Sequence, residues 1–273
     1  VMEGTGMDQM LEDYGVTIVD FNEGSTVSYP QGHTAKEFFL AKPVQETDAL
    51  INLCKMKTHA LERVTGGVKN LYGCISGLHK AKGHTKYTNA DIFARQLIDL
   101  NQLIKPRFCV MDGIVAMDGN GPTSGDPVKM KVLLLGNDPV AIDSVYCHLV
   151  HLDPQMVPTN VHGETMGLGT WREENIRLLT DGGEITMQEA VERFGNPDFN
   201  VDRKKQRGNL WNRFNNGFLR YFQKKPYIEE DKCKKCGICV EACPVEGKAL
   251  QFKNGRRKPP VYNYHLSLIH ISE

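Results

Sequence analysis

Four cysteines stand within eleven residues near the C-terminal end of the chain, in the stretch DKCKKCGICVEACPVEGKAL, residues 231–250. Cys233, Cys236, Cys239 and Cys243 follow the spacing C-x2-C-x2-C-x3-C, and Pro244 comes next. Thiolates at that spacing suit an iron–sulfur cluster, because C-x2-C-x2-C sets three sulfurs on one tight loop while the fourth leaves it and, in two-cluster proteins, serves the other cluster. Gly237 relieves the turn between ligands, where backbone must pass close to the cluster. Zinc is the rival, but structural zinc draws on cysteine pairs well separated along the chain. The spacing therefore makes Cys233, Cys236 and Cys239 one ligand group and assigns Cys243 to a second.

Two polar strings earlier in the chain could also do chemistry. In NLCKMKTHALERVTGGVKNLYGCISGLHKAKGH, residues 52–84, Lys55, Lys57 and His59 end a strand-like run, Gly66 and Gly67 sit in a turn or helix start, and Lys69 and Asn70 follow. His79, Lys80, Lys82 and His84 close the segment. Cations at a strand's carboxyl end beside helix-opening glycines make a physically sensible anion site, since ammonium groups and helix amides converge there. Solvated lysines on a loop are the plainer reading of the same spacing. In MDGIVAMDGNGPTSGDP, residues 111–127, Asp112, Asp118 and Asp126 alternate with glycines, a loop able to hold a cation or a hydroxylated ligand. Asp138 reads as a helix cap, and Asp143, one turn further on, as the better ligand-binding candidate. A metal triad of His148, His151 and His162 is not expected, because a helix C-terminus favours histidine for its dipole alone.

The elements that must position these residues alternate. The runs at 15–21, 48–54, 107–117 and 130–136 are strand-like, and amphipathic helices are expected over 88–104 and from Pro139 to about Val150. That order argues an α/β domain with a mainly parallel, helix-covered sheet over residues 1–200. Residues 201–226 turn basic and aromatic, with Trp211, Phe214, Phe218, Tyr221 and Phe222 on one helical face. We read this as a linker helix docking its aromatics on the main domain, with membrane-surface contact through 207–225 as the less favoured use. Lysine plus arginine equals aspartate plus glutamate at 33 each, so no global field favours nucleic acid. Cys54, Cys74, Cys109 and Cys147 are scattered through apolar segments as reduced core cysteines would be, which places the protein in the cytoplasm.

Residues 227–264 resemble a 2[4Fe–4S] bacterial-type ferredoxin domain, an α+β module in which a second four-cysteine motif follows a short hairpin. The hairpin is present as LQFKNGRRKPPVYNY, with Asn254 and Gly255 at its turn. The ending after Tyr264, HLSLIHISE, is similar to the translated read-through of a sequencing adapter, so residues 266–273 are expected to be non-native. On that reading the chain is truncated at both ends: its module spans 227–265 with incomplete ligand sets, and the intact parent carries two clusters. The strings KMKTHALERVTGGVKNLYGCISG, MDGIVAMDGNGPTSGDP and LLLGNDPVAIDSVYCHL, in that order, resemble the DUF362 family. The resemblance implies an α/β domain with a site around Lys55, Lys57, His59, Lys69, Asn70, Asp112 and Asp118, and brings no reaction with it.

The expectation that follows is an iron–sulfur protein whose cysteine module exchanges electrons with an anionic ligand. Lys55, Lys57 and Lys69 would bind the anion, His59 and Lys57 would carry the catalysis with His59 as proton donor, and Asp112, Asp118, Asn70 and Asp143 would complete the site. A redox partner protein is the alternative to a small-molecule ligand. A non-catalytic electron carrier, and a transferase or ligase-like enzyme with a structural cluster, are the other two readings.

Overall fold

A computed structural model of the chain describes residues 9, 11, 13–76, 79, 89–204, 228–241, 243 and 249–263. The expectations for Lys80, Lys82, His84, the 207–225 helix and the 266–273 tail lie outside the described residues.

β1 (Gly24–Ser28) and β2 (Glu37–Ala41) form an antiparallel hairpin that leads into α1 (Lys42–Glu46). β3 (Ile51–His59) and β4 (Arg63–Thr65) precede the short helix α2 (Gly67–Asn70), after which come α3 (Ala90–Ile104) and the long strand β5 (Phe108–Asp118). Strands β6 (Asp126–Val128) and β7 (Val132–Gly136), then helices α4 (Pro139–Leu149) and α5 (Pro158–Thr165), follow. A hairpin of β8 (Leu178–Thr180) and β9 (Gly183–Ile185) runs into α6 (Met187–Phe194). The cysteine module contributes α7 (Ile238–Glu241), β10 (Leu250–Gln251), β11 (Lys253–Arg256) and β12 (Val261–Tyr262), with β10 and β12 antiparallel.

The helices start and stop where local chemistry dictates. Asn89 caps α3 by accepting the Asp91 and Ile92 amides, and Lys105 ends it in the left-handed region at φ 52°, just ahead of Pro106. Asp138 caps α4 by accepting the Val140 and Ala141 amides, with Pro139 in the first turn. Phe93, Leu97, Ile98 and Leu100 of α3 pack with Val68, Leu71, Tyr72 and the β2 residues Phe38 and Leu40. The other core cluster joins Cys54 and Met56 of β3, Cys109 and Met111 of β5 and Val132 of β7 to Ile142, Val145 and Tyr146 of α4.

The central sheet is mixed rather than mainly parallel. Its order is β4-β3-β5-β6, with β7 also on β5, and only β3 and β5 run parallel. Connection length explains the difference. The chain between β3 and β5 is long and carries α3, whereas the other connections are too short for a crossover and return antiparallel. The expected strand at 15–21 is also absent. Those residues join no ladder, and Val16, Ile18, Val19 and Phe21 are exposed, since an apolar run becomes a strand only against a ladder partner.

β5 changes neighbours halfway along. Cys109–Gly113 pair with β7 and Ala116–Asp118 with β6, while the β3 register jumps from Lys55↔Asp112 to Lys57↔Met117. This irregularity leaves Ile114 and Val115 exposed and separates Asp112 from Asp118. The inner side of β3 carries Cys54 and Met56 into the core, and the outer side carries Ile51, Leu53 and Lys55.

Candidate functional site

The basic and acidic strings meet at the carboxyl half of β3. Lys55 stands in register with Asp112, and its ammonium lies 2.6 Å from the Asp112 carboxylate, with both side chains a little under half exposed. Burial alone would raise the Asp112 carboxyl, but the Lys55 ammonium and the Ile114 amide outweigh it and hold the group below the usual range. Two residues on, the Lys57 ammonium approaches the Pro122 carbonyl at 3.4 Å. The Thr58 hydroxyl donates to the Gly119 carbonyl at 3.0 Å, so the glycine-rich loop lies against the end of β3. A side chain on Gly121 would collide with the Thr58 backbone, which is why that position has none.

His59 closes the strand and is buried. Its Nδ1 accepts the Leu61 and Glu62 amides, both at 3.1 Å, so the neutral ring carries its proton on Nε2. The turn this creates drives Glu62 inward until it is completely buried. Neither Glu62 oxygen makes a well-formed hydrogen bond among the described residues, although the Thr159 amide is near enough to favour the charged form weakly. Burial pushes the Glu62 carboxyl up to about 8, against the Lys69 ammonium and with the Asp91 carboxylate. Nothing in the sequence marks Glu62, whose burial depends on contacts distant along the chain.

That carboxyl makes stability depend on pH. A folded-state value of about 8 against an ordinary 4.5 means the native state binds the proton more tightly than the unfolded chain. The associated stability is fully present below about 4.5 and lost as pH rises through about 8. Glu62→Gln should therefore flatten the decline of the urea midpoint across that window; an unchanged pH profile would show that Glu62 titrates normally.

Three candidates have positioning work. Asp143 is fully buried, and its two oxygens accept the Gly67 amide at 2.5 Å and the Val68 amide at 3.1 Å, so it serves the first turn of α2 from α4. Burial raises its carboxyl to about 7, with these two amides opposing. The expected meeting of an external anion with the α2 amides is thus pre-empted by a carboxylate of the chain itself, and a Cβ on Gly66 would run into it. Asn70 donates to the Asn52 side chain at 2.7 Å and the Leu53 carbonyl at 2.9 Å, tying α2 to β3. Asp118 is buried and accepts the Asn200 amide at 2.7 Å. Lys69 stands over the Phe93 ring, 6.0 Å from its centre. The site as built therefore centres on Lys55, Lys57 and Asp112, backed by His59, Glu62 and Lys69.

In the cysteine module, Lys235 and Gly237 take left-handed φ values of 54° and 87°, which curls the loop between Cys233 and Cys239. Cys236 and Cys239 are exposed and Cys233 is half-buried, whereas Cys243 is buried and its sulfur accepts the Ala249 amide at 3.3 Å. Four thiols, three of them on one tightly turned loop, are a donor set that fits an iron–sulfur cluster. Among the described residues no three histidine, cysteine or acidic side chains stand close enough to hold a single metal ion, His148, His151 and His162 included. Cys54, Cys74, Cys109 and Cys147 are buried, and the sulfurs of Cys54 and Cys109 lie 3.8 Å apart on neighbouring strands.

Two family models match separate parts of the chain. Residues 1–148 match a domain of unknown function, DUF362. The chain belongs to the DUF362 family. Residues 226–247 of this DUF362 protein match the 4Fe-4S binding domain and contain all four motif cysteines, so its cofactor is an iron–sulfur cluster. A thylakoid-associated protein of Synechocystis sp. is 35% identical over 188 residues, 68% of this chain. The chain spans 58% of that relative's length. No solved structure matches. Among the described residues no helix is long and apolar enough to cross a membrane.

Proposed function

We propose that this DUF362 protein is an electron-transfer protein in which a small anionic ligand, bound at the carboxyl half of β3, is the redox partner of the cysteine module. The observation that carries the reading is the half-exposed Lys55–Asp112 pair with Lys57 two residues on, in a chain that also bears the cluster motif. Bound by Cys233, Cys236 and Cys239, a [4Fe–4S] cluster supplies one-electron chemistry.

The chain's own residues do the rest. Lys57 and Lys55 attract the anion, Asp112 orients the Lys55 ammonium, and Lys69 adds positive field from α2. His59 and Glu62 lie behind the lysines and hold exchangeable protons, the first on Nε2 and the second on its raised carboxyl, for a step that couples proton to electron. Asn70, Asp118 and Asp143 keep α2 and the glycine-rich loop in place.

The test uses inorganic phosphate as probe anion on the full chain, followed by isothermal titration. Lys57→Ala should raise the dissociation constant tenfold or more while the melting temperature stays put. Phosphate binding that ignores both Lys55→Ala and Lys57→Ala would remove the basis of the reading. A second reading, a non-catalytic electron carrier, is favoured by the engagement of Asn70, Asp118 and Asp143 with backbone, which leaves few groups for a ligand. Under it, Lys57→Ala with His59→Ala leaves redox cycling intact. The relative's thylakoid association bears on location alone, and cytoplasmic residence stays part of our proposal.

A further inference from the structure

A cavity of about 420 Å³, well inside the size range of small-molecule sites, opens where the turn before β4, the first turn of α3 and the start of α5 come together. Its apolar wall includes Leu61, Met156 and Val161, and its polar wall Asp91, Asp153 and His162. No residue of the β3 site described above lines it.

Two carboxylates, a guanidinium and an imidazole face this space. Arg63 also lines it, but its guanidinium is committed elsewhere: it donates to the carbonyls of Met156, Asp202 and Lys204 and pairs with the Asp202 carboxylate at 3.1 Å. These bonds hold Arg63 at a left-handed φ of 65°, a conformation rare for a side chain of its size. Asp91 is 3.0 Å from the His162 ring through one oxygen, and Asp153 accepts the Gln155 amide through one oxygen. Among the described residues each aspartate thus keeps a second oxygen. Behind the wall sits the buried Glu62 carboxyl, within electrostatic reach of Asp91, with Lys69 as the cation nearest to it in effect.

A bare metal ion does not suit these groups, since no three ligating side chains converge among the described residues. A cation that brings its own donors and an apolar body does. We propose that the cavity is a second ligand site that takes a primary ammonium carried on a short alkyl chain. The ammonium lies between the Asp91 and Asp153 carboxylates, where charge-assisted hydrogen bonds are stronger than neutral ones, and the alkyl chain packs on Leu61, Met156 and Val161.

The test titrates the full chain with n-butylammonium and, as an uncharged isostere, n-butanol, following amide and histidine NMR shifts. Saturable binding of butylammonium at least tenfold tighter than butanol is expected. Asp91→Asn and Asp153→Asn keep the acceptor oxygens that bind His162 and Gln155 but remove the charge, so each should weaken butylammonium severalfold without moving the melting temperature. Val161→Trp should fill the space and abolish binding of both probes, while Lys57→Ala should leave it untouched. Equal binding of alcohol and amine, no saturable binding, or binding indifferent to Asp91→Asn and Asp153→Asn would overturn the proposal.

Discussion

Serine at both Cys236 and Cys239 should leave a chain that folds its α/β part normally yet assembles no cluster at the 233–239 loop after anaerobic reconstitution with iron and sulfide. The expectation follows from what the sulfur supplies. A thiol ionises near pH 8.5 and offers a soft, polarisable anion, whereas a serine hydroxyl stays protonated at neutral pH and is a hard donor. Both side chains are exposed, so the exchange creates no core defect to confuse the readout. Iron and acid-labile sulfide per chain, with visible absorbance, give the measurement. Cys243→Ser should behave differently. Its sulfur is buried against the Ala249 amide, which a hydroxyl can also accept, and the motif assigns it to a separate ligand set. The cluster at the 233–239 loop should survive that change; equal loss in both variants would make Cys243 a ligand of the same cluster.

The second large effect belongs to Asp143. Its removal in Asp143→Ala strands the Gly67 and Val68 amides in a fully buried position, and each unsatisfied group costs about 1–3 kcal/mol. Set against a typical domain stability of about 5–15 kcal/mol, a loss of about 3 kcal/mol or more is a large fraction. The urea midpoint should fall sharply, and phosphate binding should weaken with it, because α2 carries Lys69 and Asn70. Asp143→Asn keeps one acceptor and should lose less. It should also flatten a pH slope, since a carboxyl raised from 3.8 to about 7 contributes stability below 3.8 that is lost as pH rises through about 7. A midpoint in Asp143→Ala within experimental error of the parent would show that the capping bonds are replaceable.

What could be read in advance was what local chemistry controls. Asp138 announces its helix because an N-cap acts on amides two and three residues away, and the cysteine motif is legible because three of its ligands share one loop. In the sequence the Lys55–Asp112 pair is legible only as two separate strings. Joining them needs the parallel β3–β5 register, which pairs residues 57 positions apart and which no local pattern encodes. Glu62 was missed because its burial is imposed by His59 turning the chain inward, with packing against residues near Thr159. The α2 start looked open to an anion because Asp143, which fills it, is far along the sequence. The run at 15–21 had strand composition without a strand to pair with.

The most direct trial is low-temperature EPR of the reconstituted protein before and after reduction with dithionite, recorded in parallel for Lys57→Ala and for the Cys236/Cys239 double-serine variant. An electron-transfer role requires a paramagnetic [4Fe–4S] signal that appears on reduction, persists in Lys57→Ala and is missing from the double-serine variant. A protein that binds iron and sulfide in full yet stays silent on reduction would mean that the cluster is structural, and electron transfer would have to be abandoned.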